Sequence, residues 1–329
     1  MDGICTLGND QVLDQIIALL NSIEVNWGES KPVCIYPYDN NISKLTKEVA
    51  KRPQVQLYNN RESIARWDSF AQTALNTSST ARELWLKAGS ESYHRFGTHR
   101  RYCAFDAPFE RFLYMDADTL LLKSPETIFA QLDNHDCVVY DYQYKDPSHV
   151  YNLSSPLLTK VFPQERIAKE IFCSGFYASK QGLFNQEKRD WLISQLQNES
   201  DVLYPMAPDQ TLINYMMMCS GASIYNFSLH LPFEEKTGCC VTSPHFQEED
   251  NLVYDKGNLL TYLHYIGISS KVFSQICAGE NIDFPYRETF LHYRYLHERE
   301  KQPKLPGKPQ PYNQTPGLAT RIINKLVKK

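Results

Sequence analysis

Apolar residues in the first half of the chain fall into short unbroken runs separated by amphipathic stretches. ICTL from Ile4, VCIYPY (Val33 to Tyr38), VQLY (Val55 to Tyr58), FLYMD from Phe112 and CVVYDY (Cys137 to Tyr142) are compact runs of large apolar side chains. Such runs predict strands buried on both faces. Between them, Gln11 to Ile23 sets Val12, Ile16, Leu19, Leu20 and Ile23 at helical spacing. Ser43 to Lys51, Glu62 to Leu75 and Ala81 to Lys87 also predict helices. Strand and helix alternating in this way predict an α/β fold, Rossmann-like, with a mostly parallel sheet and helices on both faces. The second half is less regular: CSGFYAS (Cys173 to Ser179), SIYNF and LLTYLHYIG predict strands, while Gly182 to Gln197 and APDQTLINYMMM predict helices. Five prolines between Pro303 and Pro316 predict an extended linker. The division expected is a single domain over 1–300, a linker over 301–316 and a tail over 317–329.

Composition narrows this little. With 329 residues, 42% hydrophobic and 22% charged, the chain can build a full core. A net charge of −4 gives no basis for a nucleic-acid-binding body. The charge is uneven: seven Lys or Arg and no acid follow Glu300, which leaves −11 for residues 1–300. In the closing GLATRIINKLVKK, Leu318, Ile322, Ile323, Leu326 and Val327 share a helical face beside Arg321, Lys325, Lys328 and Lys329. That pattern suits peripheral contact with an anionic membrane surface. Nine cysteines without a C-x-x-C, no span-length apolar run and no signal segment lead to an expected cytoplasmic location.

The richest chemistry lies in FLYMDADTLLL (Phe112 to Leu122). Asp116 and Asp118 stand at the end of a buried run, where unpaired carboxylates are costly. Side-chain alternation aims both at one point, and oxygen ligands at the carboxyl end of a sheet suit Mg²⁺ or Mn²⁺ holding a phosphorylated ligand. Downstream, LHYIG carries His264 and Gly267, APDQ carries Asp209 and Gln210, and TLGND near the start carries Thr6 and Asn9.

In chain order, TLGND, HRRYCAF, FERFLYMDADTLLLKSP, CSGF, PDQ and LHYIG resemble segments of glycosyltransferase family 8, retaining transferases of the GT-A fold, in the family's own order. The resemblance implies that Asp116, Asp118 and His264 bind Mn²⁺ (or Mg²⁺), which grips the diphosphate of a UDP-sugar. It implies a donor site of Thr6, Asn9, Arg101, Asp116, Ala117, Asp118, Gly267 and Lys271, with Asp209 and Gln210 catalytic beside the anomeric carbon. Arg100 is the alternative to Arg101. The sequence departs from the family at Val12, where an aromatic stacks on uracil, at Cys173 in place of Asn, and at Ser270 in place of Lys. The acceptor, whether glycan, lipid or small molecule, is left open. Two rival readings remain: a nucleotidyltransferase making nucleotide sugars, and a non-catalytic glycan- or partner-binding protein on a degenerate transferase fold.

Overall fold

The computed structural model of the chain describes residues 1–87, 89 and 95–313. Strands β1 (Asp2–Gly8), β2 (Val33–Pro37) and β3 (Val55–Leu57) pair in parallel, linked by helices α1 (Leu13–Asn26) and α2 (Ser43–Val49). After α3 (Arg61–Asn76) and α4 (Ser79–Lys87), β4 (Arg111–Met115) returns parallel to β1 on its other side. The next elements are β5 (Thr119–Leu121), α5 (Glu126–Gln131), β6 (Cys137–Val139), α6 (Leu158–Val161), α7 (Gln164–Glu170) and β7 (Phe176–Lys180). Then come α8 (Gln186–Glu199), α9 (Pro208–Cys219) and β8 (Ile224–Asn226). Among the described residues the main sheet runs β3-β2-β1-β4-β7-β6-β8. It is mostly parallel; β7 alone is reversed, antiparallel to β4 and to β6.

Alternation along these strands explains the unbroken apolar runs. Ile4, Val33, Ile35, Leu113 and Met115 face α1, α2 and α5 through Ile16, Leu19, Leu45 and Phe129. Their neighbours Cys5, Leu7, Tyr36, Phe112 and Tyr114 face the opposite layer, built on Trp67, Trp85, Leu192 and Leu212 of α3, α4, α8 and α9. Helices cover both faces, so each strand position is apolar whichever way it points.

The last part of the chain adds a third layer. After α10 (Phe227–His230), β9 (Gln247–Glu249), β10 (Leu252–Asp255) and β11 (Asn258–Leu259) form a small antiparallel sheet. β12 (Tyr262–His264) then pairs antiparallel with β5, setting His264 opposite Thr119. α11 (Ser270–Cys277), β13 (Ile282–Asp283) and α12 (Arg287–Arg294) pack outside α1 through Phe273, Phe290 and Leu291.

The proline-rich stretch lies against the domain over its described part, where free extension was expected. β14 (Gln310–Pro311) pairs with β13, and Asn281 Nδ2 donates to the Gly307 carbonyl at 2.8 Å. Proline removes backbone donors but leaves the carbonyls, and here a side chain of the domain satisfies one of them. The amphipathic segment 317–329 lies outside the described residues. Among those described, no helix is long and apolar enough to cross a membrane.

Candidate active site

Asp116, Asp118 and His264 meet at the carboxyl end of β4. One ligand atom from each lies within 4.8 Å of the others, with His264 buried and the two carboxylates half-buried. The aspartates converge through a turn rather than strand alternation. β4 ends at Met115, and Thr119 N–H closes back on the Asp116 carbonyl at 3.1 Å. The Thr119 hydroxyl donates to the same carbonyl at 2.7 Å. His264 arrives from the other side because β12 pairs with β5, the strand that leaves this turn. Its Nε2 stands 3.4 Å from Asp118 Oδ1.

Burial opposes charging His264, yet the adjoining Asp118 carboxylate and the hydrogen bonds to Asp118 and Cys173 outweigh it and hold the imidazole well above its usual range. Burial pushes Asp116 up against the pull of Arg101, whereas His264 holds Asp118 down despite burial. Gly175 makes this close approach possible. A Cβ there would fall 2.7 Å from His264 Cε1 and 2.9 Å from Asp116 Oδ2, distances no packed side chain tolerates.

Arg101 is 3% exposed and bridges two parts of the site. Its Nη2 lies 3.2 Å from Asp116 Oδ1 and 3.0 Å from Asp209 Oδ2. Its Nη1 donates to the Ser174 carbonyl at 2.8 Å, and its guanidinium stacks over Tyr114 at 4.8 Å. Tyr114 in turn donates to Asp116 Oδ1 at 2.9 Å. Arg101 sits on a 3-10 helix, Thr98–Phe105. Neighbouring Arg100 pins that helix to α3 with a forked pair to Asp68, at 3.0 and 2.8 Å, which separates the two arginines cleanly: Arg100 anchors and Arg101 reaches the site. Burial works against the Asp68 carboxylate, but His99 and Arg100 overcome it and bring it down to about 2.

Asp209 opens α9, and its Oδ1 is buried with no hydrogen-bond partner among the described residues. Gln210 is held at both ends: Ser174 N–H donates to Oε1 at 3.3 Å, and Nε2 donates to the His149 carbonyl at 3.1 Å.

A cleft of about 450 Å³ runs from Gly8, Asn9 and Val12 past Arg101 to Asp116, Ala117 and Asp118. Asn9 caps the turn into α1, accepting from Gln11 N–H at 3.0 Å, and donates to Asp39 Oδ2 at 2.8 Å. Thr6, expected in the donor site, is fully buried and does not line this cleft, and its hydroxyl has no partner among the described residues. Gly267 has a left-handed φ of 82° that suits glycine, and open space where a Cβ would be. Ser270 lines the cleft, while Lys271 beside it is exposed in the first turn of α11.

A second, larger cleft of about 670 Å³ opens on the far side of His264. Asp141, just beyond β6, lines it and is 3% exposed. Burial raises its carboxyl to about 7 against the backbone N–H bonds it accepts from Gln143 and Cys173. Cys173 lines the same wall. Asp141, Gly175 and Tyr114 were not singled out from the sequence. The signal for Asp141 was present in CVVYDY, where a carboxylate follows a buried apolar run as Asp116 follows FLYM.

No family profile and no characterised relative matches this chain by sequence. Solved structures do match in chain path. The bifunctional glycosyltransferase WbbM is 13% identical, matching 92% of this chain and 51% of its own, with a TM-score of 0.48. The galactosyltransferase LgtC, solved with donor and acceptor sugar analogues, is 12% identical over 84% of this chain and 94% of its own, with a TM-score of 0.49. The glycosyltransferase GlyE of Streptococcus pneumoniae TIGR4 is 10% identical over 93% and 65%, with a TM-score of 0.45. All three are glycosyltransferases. The chain spans about half the length of the first of them.

Proposed function

We propose that this chain is a divalent-cation-dependent glycosyltransferase that moves a hexose from a UDP-hexose to a hydroxyl of a glycan, lipid or small molecule, with retention of anomeric configuration. One observation carries the reading: two carboxylates and an imidazole converge at the end of a cleft beside a buried guanidinium. The donor set fits the ion. Two oxygens and one nitrogen suit Mn²⁺ or Mg²⁺, and three carboxylates (Asp116, Asp118, Asp209) around one guanidinium leave an excess that a divalent cation balances. When bound, the cation supplies Lewis-acid stabilisation of the departing diphosphate.

The protein's own groups do the rest. Asn9 and Val12 border the nucleoside end of the cleft, Val12 offering an aliphatic surface where stacking would otherwise occur. Arg101 fixes a positive charge on the wall and holds Asp116 and Asp209 in place. Gly267, in the turn after β12, and Lys271, in the first turn of α11, are assigned to the phosphate end, next to Ile268 and Ser270 of the cleft wall. Asp209 and Gln210 face the sugar, where a carboxylate and an oriented carboxamide stabilise the oxocarbenium-like transition state. With a UDP-hexose and Mn²⁺, slow release of UDP by transfer or hydrolysis is expected. Asp209→Ala and Gln210→Ala should each lower turnover by about tenfold or more while changing UDP affinity far less, since only transition-state contacts are lost. Equal losses in turnover and affinity would assign the pair a structural role. A panel of UDP-hexoses that releases no UDP would favour the binding-protein reading, and pyrophosphate as product would favour the nucleotidyltransferase.

We place the protein in the cytoplasm, with segment 317–329 resting on anionic membrane. Sedimentation with anionic vesicles at low salt should fall when the chain is truncated after Asn313, a cut that spares β14 and its pairing with β13. Equal sedimentation of the two forms would remove the membrane contact.

A further inference from the structure

The second cleft gathers three lysines and three aspartates, and among the described residues only the aspartates are tied up. The chain is acidic overall, at −4, yet Lys145, Lys236 and Lys256 all line this one cavity. Among the described residues, none of the three forms an ion pair with a carboxylate. Lys145 Nζ rests 4.5 Å over the Tyr142 ring, and Lys256 Nζ 4.6 Å over Phe233. The cleft's acids are engaged elsewhere. Asp255 accepts from Gly238 N–H at 2.8 Å and lies 3.3 Å from His245 Nε2, and Asp146 accepts from Ser148 N–H at 3.0 Å. Asp141 accepts from the Gln143 and Cys173 N–H groups and is buried at the inner end. His149 and His245 add two imidazoles to the wall.

The backbone is bent to present one of these lysines. Lys256 and Gly257 form the two-residue turn between β10 and β11, with φ of 52° and 80°. Left-handed φ at both central positions is the hairpin turn whose twist matches the strands, and Asn, Asp or Gly usually fill it. A lysine there sits at a conformational cost, and its reach over the cleft mouth is what that turn supplies. Apolar surface is arranged in the same way. Phe233 is 74% exposed at the rim and Ile266 40%, although both border a concave site. Flat aromatic faces beside unpaired ammonium groups suit a ring with an apolar face and an anionic substituent.

We infer that this cleft binds the acceptor, and that the acceptor is a saccharide carrying an anionic group, a phosphate or a carboxylate, held by Lys145, Lys236 and Lys256 while its ring packs between Tyr142 and Phe233 on the faces the lysines leave open. The inference rests on the transfer reading above and adds the chemical class of the acceptor. The anion sits at the outer end of the cleft and the reacting hydroxyl at the inner end, by His264 and Asp141.

The test uses the full chain with UDP and Mn²⁺ present, so that the first cleft is filled. Binding of glucose 6-phosphate, glucuronate and glucose is titrated separately by calorimetry. At least one anionic sugar should bind about fivefold or more tighter than glucose, with an affinity that weakens as salt rises. The two anions separate phosphate from carboxylate. Lys145→Gln/Lys236→Gln/Lys256→Gln should remove that preference while leaving the thermal shift given by UDP with Mn²⁺ as in the wild type, which also certifies that the variant is folded. Equal binding of glucose, no binding of either anion, or an unaltered preference in the triple variant would each overturn the inference. Absence of the UDP–Mn²⁺ shift in the wild type would instead strike the donor reading, so the two failures are told apart.

Discussion

Asp118→Asn should abolish the Mn²⁺-dependent part of UDP stabilisation. The wild type at a UDP concentration about 100 times the dissociation constant gains roughly 2.7 kcal/mol, seen as a clear rise in melting temperature only when Mn²⁺ is present. Asn keeps the size of Asp118 but removes the charge that faces His264 and that would face the proposed cation. Without nucleotide the variant should unfold close to the wild type, because Asp118 is half-buried and its loss also relieves crowding among carboxylates. The wild-type effect should depend on pH in one direction. The imidazole must shed its proton to ligate, and its affinity for that proton is raised, so the Mn²⁺-dependent shift should shrink as pH falls. Undiminished Mn²⁺-dependent UDP binding by the variant would remove Asp118 from the site.

Arg101→Met carries the largest expected cost to stability. The guanidinium is 3% exposed and lies within 3.2 Å of Asp116 and 3.0 Å of Asp209. Removing it takes the counter-charge from buried Asp209 and half-buried Asp116, a loss at the low end of the buried-pair range, about 3 kcal/mol. The denaturant midpoint should fall while the slope of the transition stays unchanged. Adding Asp209→Asn should recover part of the loss, because the second change removes one of the stranded charges. A double variant no more stable than Arg101→Met would mean that Arg101 acts chiefly through its stacking on Tyr114 and its backbone contacts to Thr98 and Ser174.

Most of the first half could be read from residue order, because helices on both faces force the strands to be uniformly apolar. Runs such as VCIYPY therefore stand out, and the structure has β2 at Val33–Pro37. The reversed direction of β7 could not be read, since a strand buried on both faces looks the same run either way. The small sheet of β9 to β11 was missed for a related reason: QEE in β9 is fully exposed and has no apolar pattern to detect. In the candidate site, Asp116, Asp118 and His264 stood out as carboxylates and an imidazole at the ends of apolar runs, and the structure brings one ligand atom of each within 4.8 Å of the others. Arg101 was legible by order, but the 3-10 helix that presents it was not. Gly175 was beyond reach, because its role depends on His264 and Asp116, which come near it only after folding. The lysines of the second cleft are scattered from Lys145 to Lys256 and form a set only in space.

The pairing of β12 with β5 has a consequence for the order in which a ribosome makes this protein. Asp116 and Asp118 emerge early, with the strands that flank them, and those strands can close much of the main sheet. His264 emerges late, and the partner it needs has by then been waiting on the surface of the nascent domain. Throughout that interval the two aspartates lack their imidazole, and the edge of β5 lacks its neighbour. The Asp116, Asp118 and His264 cluster is therefore completed by a single event, the docking of one antiparallel strand onto a sheet already in place.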